Sequence, residues 1–269
     1  MVRRQRLSQP ALPEEALSEA RLFSFLLTLS FILAGVTFAA LFFVSAPYGR
    51  HARQGWGPAL PNRLGWLVME APAAVFFALF FALGDAPKNP PRVIFLLLWQ
   101  AHYFHRAFIY PFRIADGRRQ IPLVIVLMAF FFNCGNAYLN GRYLFTLSAG
   151  YSQAWLFDPR FLTGLALFAS GYALNRWSDW ILRRLRLPGE LGYKIPYGGP
   201  YRWVSCPKYL GEIVEWAGWA LATWSLPGLS FALWTFANLA PRARAHHRWY
   251  RRKFPEYPPN RKAMLPGLW

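Results

Sequence analysis

Glu70, Tyr103, Arg106, Asn175, Asp179, Glu212 and Glu215 all fall inside runs of apolar residues, where ionisable and amide side chains are out of keeping with their surroundings. A charged side chain inside a membrane span costs roughly 2.5–3.5 kcal/mol on insertion scales, so such groups face inward, pair with one another or serve a function. Spacing sorts them. Asn175 and Asp179 are four apart and share a helix face, and Glu212 and Glu215, three apart, share another. Tyr103 and Arg106 are also three apart. Interhelical glue would explain any one of these residues. It explains the whole set less well, because many gather at one end of their spans, beside the most basic loop. The polar helix faces must therefore converge inside a bundle, where an acid, a phenol and a guanidinium can share one site.

The loop in question, residues 183–208, alternates Arg and Lys with Tyr193, Tyr197, Tyr201 and Trp203, and carries Gly189, Gly192, Gly198 and Gly199. Guanidinium groups and aromatic faces together suit a ligand with both phosphates and flat rings, such as a dinucleotide. No GxGxxG follows a strand, so a Rossmann domain is excluded and the dinucleotide must lie among helix ends and loops. Walker A, HExxH and CxxC patterns are missing from the sequence, and no metal site is expected.

The elements that would hold these residues can be read from composition. The chain has 269 residues, is 55% hydrophobic and 19% aromatic, and is only 16% charged. Soluble domains are roughly 25% charged. Yet 30 Lys and Arg stand against 12 Asp and Glu, a net +18. The density of Phe, Trp and Leu excludes a disordered basic tail. Two cysteines, Cys134 and Cys206, exclude a disulfide scaffold and fit a reducing compartment. A span needs about 20 apolar residues. Candidate spans cover residues 23–44, 64–83, 93–112, 121–140 and 161–182. Residues 209–239 are too long for one, and Ser225-Leu226-Pro227-Gly228 divides them into two. The expectation is an all-α integral membrane protein of one domain with seven transmembrane helices. It comprises an N-terminal tail (1–22) and two cytoplasmic cofactor-side segments (183–208 and 241–269). Most Lys and Arg fall in the connections on one side, which places the N-terminus outside and the C-terminus in the cytoplasm.

Several runs resemble steroid 5-alpha-reductases. They are His102-Tyr103-Phe104-His105-Arg106, the stretch from Leu185 through Pro196, Leu210-Gly211-Glu212-Ile213-Val214-Glu215-Trp216, Ala220 through Pro227, and the ending His246-His247-Arg248-Trp249-Tyr250 with Arg261-Lys262-Ala263. The resemblance extends from about Tyr48 to the C-terminus. Its C-terminal half is shared with enoyl and sterol reductases, whereas Glu70 together with His-Tyr-Phe-His-Arg is more specific to the 3-oxo-steroid branch. It implies NADPH-dependent reduction of a double bond conjugated to a ketone, with a cytoplasm-facing cofactor site. By resemblance Glu70 and Tyr103 form the catalytic pair at the 3-keto oxygen. Hydride addition at C5 pushes charge onto that oxygen, and a donor placed there stabilises it. Tyr103 can give its phenol proton, and Glu70 can donate as the neutral acid.

The cofactor residues implied are Asn175, Asp179, Arg186, Tyr193, Lys194, Lys208, Glu212, Arg242, His246, Tyr250 and Arg106. Those implied for the steroid are Trp66, Met69, Tyr48 and Met128. Met69 stands where the family usually has Gln, Lys208 where the animal enzymes have Asn, and Met128 where a cation is common. The expected partners are a 3-oxo-Δ4 steroid or related lipophilic enone and the lipid bilayer, with no nucleic acid, and the chain is expected to be a monomer. An enoyl-thioester or other enone or sterol reductase using the same cofactor site is the nearest alternative. A methyltransferase of the isoprenylcysteine type and a transporter are more distant ones.

Overall fold

A computed structural model describes residues 14–47, 49–114, 119–185, 190 and 192–269, with side chains from 17 onward. Among these residues the chain is mainly helical, with two three-residue strands. The long elements are α1 (Glu14–Phe43), α2 (Asn62–Leu83), α3 (Pro90–Phe104), α5 (Leu123–Arg142), α6 (Pro159–Arg184), α7 (Pro207–Thr223) and α8 (Leu226–Lys253). A π-helical turn, His105–Ile109, joins α3 to the short α4 (Tyr110–Arg113), and a second one, Tyr143–Leu147, extends α5. Among the described residues, three helical stretches are long and apolar enough to cross a membrane by length and composition: Leu17–Phe43, Asn62–Leu83 and Leu123–Leu147.

Two boundaries differ from the sequence expectation. The tail assigned to residues 1–22 is helical from Glu14, because Glu, Ala, Leu and Arg up to Leu22 favour helix without needing a bilayer. The first part of the segment expected on the cytoplasmic side, 241–253, is helical and continues α8 to Lys253. Pro241 removes one backbone donor, but the Ala- and Arg-rich residues after it carry the helix on. The division at Ser225–Gly228 is present. Trp224 ends α7 in the left-handed region at φ 43°, and the Ser225 hydroxyl caps α8 by accepting from the Gly228 N–H at 3.1 Å.

Two devices align the polar helix faces. The first is a small antiparallel ribbon. β1 (Ala59–Pro61) pairs with β2 (Gln120–Pro122), so α2 and α5 start side by side. The second is glycine. Gly164 and Gly171 on α6 face Gly218 and Gly211 on α7 with backbone against backbone. A Cβ at any of the four would sit under 3 Å from main-chain atoms of the other helix. Small residues allow this approach where lipid gives no hydrophobic drive. It sets Asn175 and Asp179 directly against Lys208 and Glu212.

The centre is aromatic. Phe77 stacks on Trp99 with ring centroids 4.3 Å apart, and Trp216, Trp219, Phe95 and Phe231 close around them. The outer surface is apolar as well, and polar side chains are buried beside the aromatic core. Phe25, Ile32, Val36, Leu97 and Phe131 are exposed, whereas Glu70, Arg92, Asn133, Asn175, Asp179 and Glu215 are buried. That pattern suits a protein whose outer solvent is hydrocarbon. Cys134 and Cys206 are both free, and Cys206 is buried at the start of α7.

Candidate active site

The polar groups of α2, α3, α5, α6 and α7 join into one buried network. Its centre is Arg106, in the π turn. Its Nε donates to Glu70 Oε1 at 3.1 Å, and its Nη1 lies 4.0 Å from Glu212 Oε2. The guanidinium also lies 4.6 Å from the Trp66 ring centroid and 5.6 Å from that of Tyr110. The π turn inserts an extra residue into the helix and re-aims the side chains beyond it, and such turns are frequent at functional sites.

Glu70 and Tyr103 do not hydrogen-bond each other. Asn133 of α5 links them. Its Nδ2 donates to the Met69 carbonyl at 2.6 Å and to Glu70 Oε2 at 3.4 Å, while its Oδ1 accepts from the Tyr103 hydroxyl at 3.4 Å. Tyr103 is buried, with Trp99 and His102 about its ring. The Glu70 carboxyl accepts from Arg106 at one oxygen and from Asn133 at the other. His102, the residue before Tyr103, meets Glu215: its Nδ1 lies 2.8 Å from Oε1 of that wholly buried acid.

Toward α6 and α7 the network continues. Asn175 Nδ2 donates to Glu212 Oε2 at 3.2 Å and to the Lys208 carbonyl at 3.1 Å. Lys208 Nζ sits 2.7 Å from Asp179 Oδ1, and Arg183 approaches the other oxygen at 3.2 Å. Lys208 and Asp179, both expected among the cofactor residues, thus pair with each other. A narrow cleft lined by His102, His105, Arg106, Tyr110, Asn175 and Lys208 opens into this region.

A second cluster lies around the last turns of α8. Tyr250 is buried, its ring stacked on Tyr257, with the Arg50 guanidinium 4.6 Å above it. The Tyr193 hydroxyl accepts from Arg119 Nη1 at 2.6 Å, and its ring packs against Trp249. His246 stacks on His51 at 5.2 Å and lies 5.4 Å from Tyr209. Arg242 is close by, 5.8 Å from the same Tyr209 ring, and donates to Asn238 at 3.0 Å. Lys194 pairs with Glu190.

Of the sequence-derived residues, Glu70, Tyr103, Arg106, Asn175, Asp179, Lys208 and Glu212 come together in the first cluster, and Tyr193, Arg242, His246 and Tyr250 in the second. Trp66 joins the first through Arg106. Met69 contributes its carbonyl, while its side chain packs with Ile121 and Val126 in a separate apolar cluster. Met128 is left out of both clusters: it is 65% exposed on α5. Arg186 and Tyr48 lie outside the described residues.

The C-terminal 151 residues, 119–269, match the family described as 3-oxo-5-alpha-steroid 4-dehydrogenase. Over nearly the full chain the similarity is closer still. A 3-oxo-5-alpha-steroid 4-dehydrogenase 1 of Bos taurus is 44% identical over 256 residues, covering 94% of this chain and 99% of the relative. The chain belongs to the steroid 5-alpha-reductase family. It is thus an oxidoreductase acting on CH–CH groups. A steroid 5-alpha-reductase of Gossypium hirsutum is 42% identical over the same coverage, and the Homo sapiens 3-oxo-5-alpha-steroid 4-dehydrogenase 1 is 42% identical over 93% of this chain.

Within this reductase, three residues join the clusters that sequence reasoning passed over. Asn133, Arg50 and His51 are not among the site residues expected from the sequence. Each sits where its partners are distant in sequence, so no local spacing marks it. Arg50 Nη1 and His51 Nε2 are buried and have no hydrogen-bond partner among the described residues. Burial, reinforced by Arg50 and Arg242, pushes His51 down to about 4, so it is neutral at physiological pH. Cations beside aromatic faces, with donors unspent, are a fitting donor set for the phosphates and rings of a nicotinamide dinucleotide.

Proposed function

We propose that the chain is an integral-membrane 5-alpha-reductase that uses NADPH to reduce the Δ4 double bond of 3-oxo-steroids. The carrying observation is the buried linkage Tyr103–Asn133–Glu70–Arg106, which sets a phenol donor beside a charge-balanced carboxylate in an aromatic interior. The cofactor, when bound, supplies the hydride.

Each residue of the chain then has its own task. Tyr103 presents its O–H to the 3-keto oxygen, where charge gathers as C5 takes the hydride. A fixed donor in a water-poor site stabilises that enolate more strongly than water would. Glu70 orients the phenol through Asn133 and shares the ketone end of the site. Arg106 balances Glu70 and Glu212, so neither acid is a lone buried charge. The α-carbon takes its proton from water. Trp66, Met69 and Tyr48 are assigned to the steroid slot. Met128, exposed on α5, is assigned to the same slot on the resemblance alone.

Asn175, Asp179, Lys208, Glu212 and Arg106 line the side of the nicotinamide and ribose. Arg186, Tyr193, Lys194, Arg242, His246 and Tyr250, with Arg50, His51 and Arg119 added, hold the phosphates and adenine. Seven membrane spans with the C-terminus cytoplasmic fit the seven long helical rods, counting α3 through α4 as one, and put the cationic cluster where NADPH is available. The chain is expected to act as a monomer.

A substrate panel tests this reading. Purified protein with NADPH is given testosterone or progesterone, and separately trans-2-enoyl thioesters, with products read by mass spectrometry. The 5α-dihydrosteroid is the expected product. Reduction of the thioesters alone would assign the site to the enoyl-reductase alternative.

A further inference from the structure

We infer that Asn133 is a positioning residue for the reaction, one that fixes the direction of the Tyr103 phenol proton and ties it to Glu70. The inference rests on the reading that Glu70 and Tyr103 act on the ketone.

A side-chain amide has two donors on nitrogen and an acceptor on oxygen. Two acceptors face the Asn133 nitrogen, the Met69 carbonyl at 2.6 Å and Glu70 Oε2 at 3.4 Å. Turning the amide over would set its oxygen against both, oxygen facing oxygen. The orientation is therefore determined by α2, and Oδ1 is left facing Tyr103. The phenol can only donate to it. Asn133 is 4% exposed, so water does not compete for these groups.

The lengths matter. The bond to Met69 is short and anchors the amide to the main chain of α2. The bond from Tyr103 is 3.4 Å, at the weak end of the range. A weak bond of this kind holds the proton aimed without trapping it. When charge develops on a ketone oxygen nearby, the stronger acceptor takes the proton over, and Oδ1 gives it up at little cost. The same amide keeps Glu70 Oε2 supplied with a donor while Arg106 serves Oε1. The titratable groups facing Asn133 are Glu70 on α2 and Tyr103 on α3, with Arg106 behind Glu70.

Three variants measured together test this. Asn133→Leu removes all the bonds. It is expected to lower kcat by roughly tenfold to a hundredfold, the scale of misplacing a reacting group, with the NADPH Kd unchanged. Asn133→Asp keeps the shape but puts a second carboxylate beside Glu70 and a strong acceptor on the phenol. Its kcat should fall further at neutral pH and recover in part as the pH is lowered, because the protonated acid regains one donor and a neutral acceptor, though not the second donor of the amide. That recovery occurs within one preparation, so it reads positioning even if Asn133→Leu fails to fold. Tyr103→Phe is the third. Wild-type kcat in Asn133→Leu alongside a disabled Tyr103→Phe would overturn the inference and leave the catalytic pair standing. Asn133→Asp with a pH profile parallel to wild type would also overturn it, as would equal loss of NADPH affinity in both Asn133 variants. Wild-type turnover in Tyr103→Phe would remove the underlying reading itself.

Discussion

Arg106 Nε donates to Glu70 Oε1 across 3.1 Å, from the π turn after α3 to the middle of α2. The relationship joins two residues 36 apart in sequence and makes Arg106 the charge balance of the site, since Glu212 is within 4.0 Å of the same guanidinium. Arg106 was expected among the cofactor residues. Its contacts show it holding Glu70, the acid of the proposed pair, as well.

Replacing Arg106 by Met should therefore damage both fold and chemistry. Leaving a carboxylate uncompensated in a buried site costs about 3 kcal/mol or more. We expect a lower melting temperature in detergent and a loss of turnover. A second change, Glu70→Gln, should restore much of the melting temperature and none of the turnover. Thermal unfolding of the single and double variants checks this; no recovery in the double variant would contradict the pairing.

The glycine contacts between α6 and α7 give a prediction about packing. Gly171→Val would push its side chain into the main chain at Glu215 and Gly211. Overpacking costs typically about 1–3 kcal/mol, and here it also separates Asn175 and Asp179 from Lys208 and Glu212. The expected result is reduced stability with weakened NADPH binding. Gly135→Val, on α5 where a Cβ meets nothing within 4 Å, is the control and should leave both nearly unchanged.

The Arg50–Tyr250 cluster predicts an effect on the cofactor alone. Arg50→Met keeps much of the packing against Tyr193 and Trp249 but removes the cation. The NADPH KM should rise by roughly tenfold, a loss of about 1.4 kcal/mol, with kcat at saturation little changed. A fall in kcat without a change in KM would place Arg50 outside the phosphate site.

His51 predicts a pH dependence. Its ordinary value is 6.5 and the folded protein holds it at about 4. The unfolded chain therefore binds the proton first as pH falls. Stability linked to His51 is full above about 6.5 and is lost progressively toward 4. The surrounding charges are Arg50, Arg242, Arg252 and Arg53. Melting temperatures from about pH 7 to about pH 5, a range that brackets the ordinary histidine value, should fall less steeply in His51→Gln than in the wild type. Parallel slopes would contradict the assignment.

Much of this arrangement was legible in the sequence. Apolar runs broken by Glu70, Arg106, Asn175 and Asp179 marked both the helices and their inward faces, because an unpaired charge in hydrocarbon is too costly to be incidental. Ser225 to Gly228 marked the α7–α8 break through cap and proline chemistry, which is local. The extension of α8 past Pro241 was not legible from hydropathy, since its last turns are helical through propensity and packing rather than apolar length. The role of Asn133 was hidden for another reason: its partners lie on α2 and α3, and only the β1–β2 ribbon and the α2–α5 packing bring them within reach. The paired glycines of α6 and α7 were visible as two repeats seven residues apart, a signal that could have placed those helices in contact.

Central to the proposed chemistry is the Tyr103 hydroxyl, which stabilises the charge that gathers on the ketone oxygen during enone reduction. The most direct measurement is steady-state turnover of Tyr103→Phe with a 3-oxo-Δ4 steroid, alongside its NADPH Kd. The expected result is a loss of roughly a hundredfold or more in kcat, the scale of removing one oxyanion donor, with cofactor affinity within about twofold of wild type because the phenol only stabilises charge as it forms. Wild-type kcat in that variant, at unchanged cofactor affinity, would contradict it.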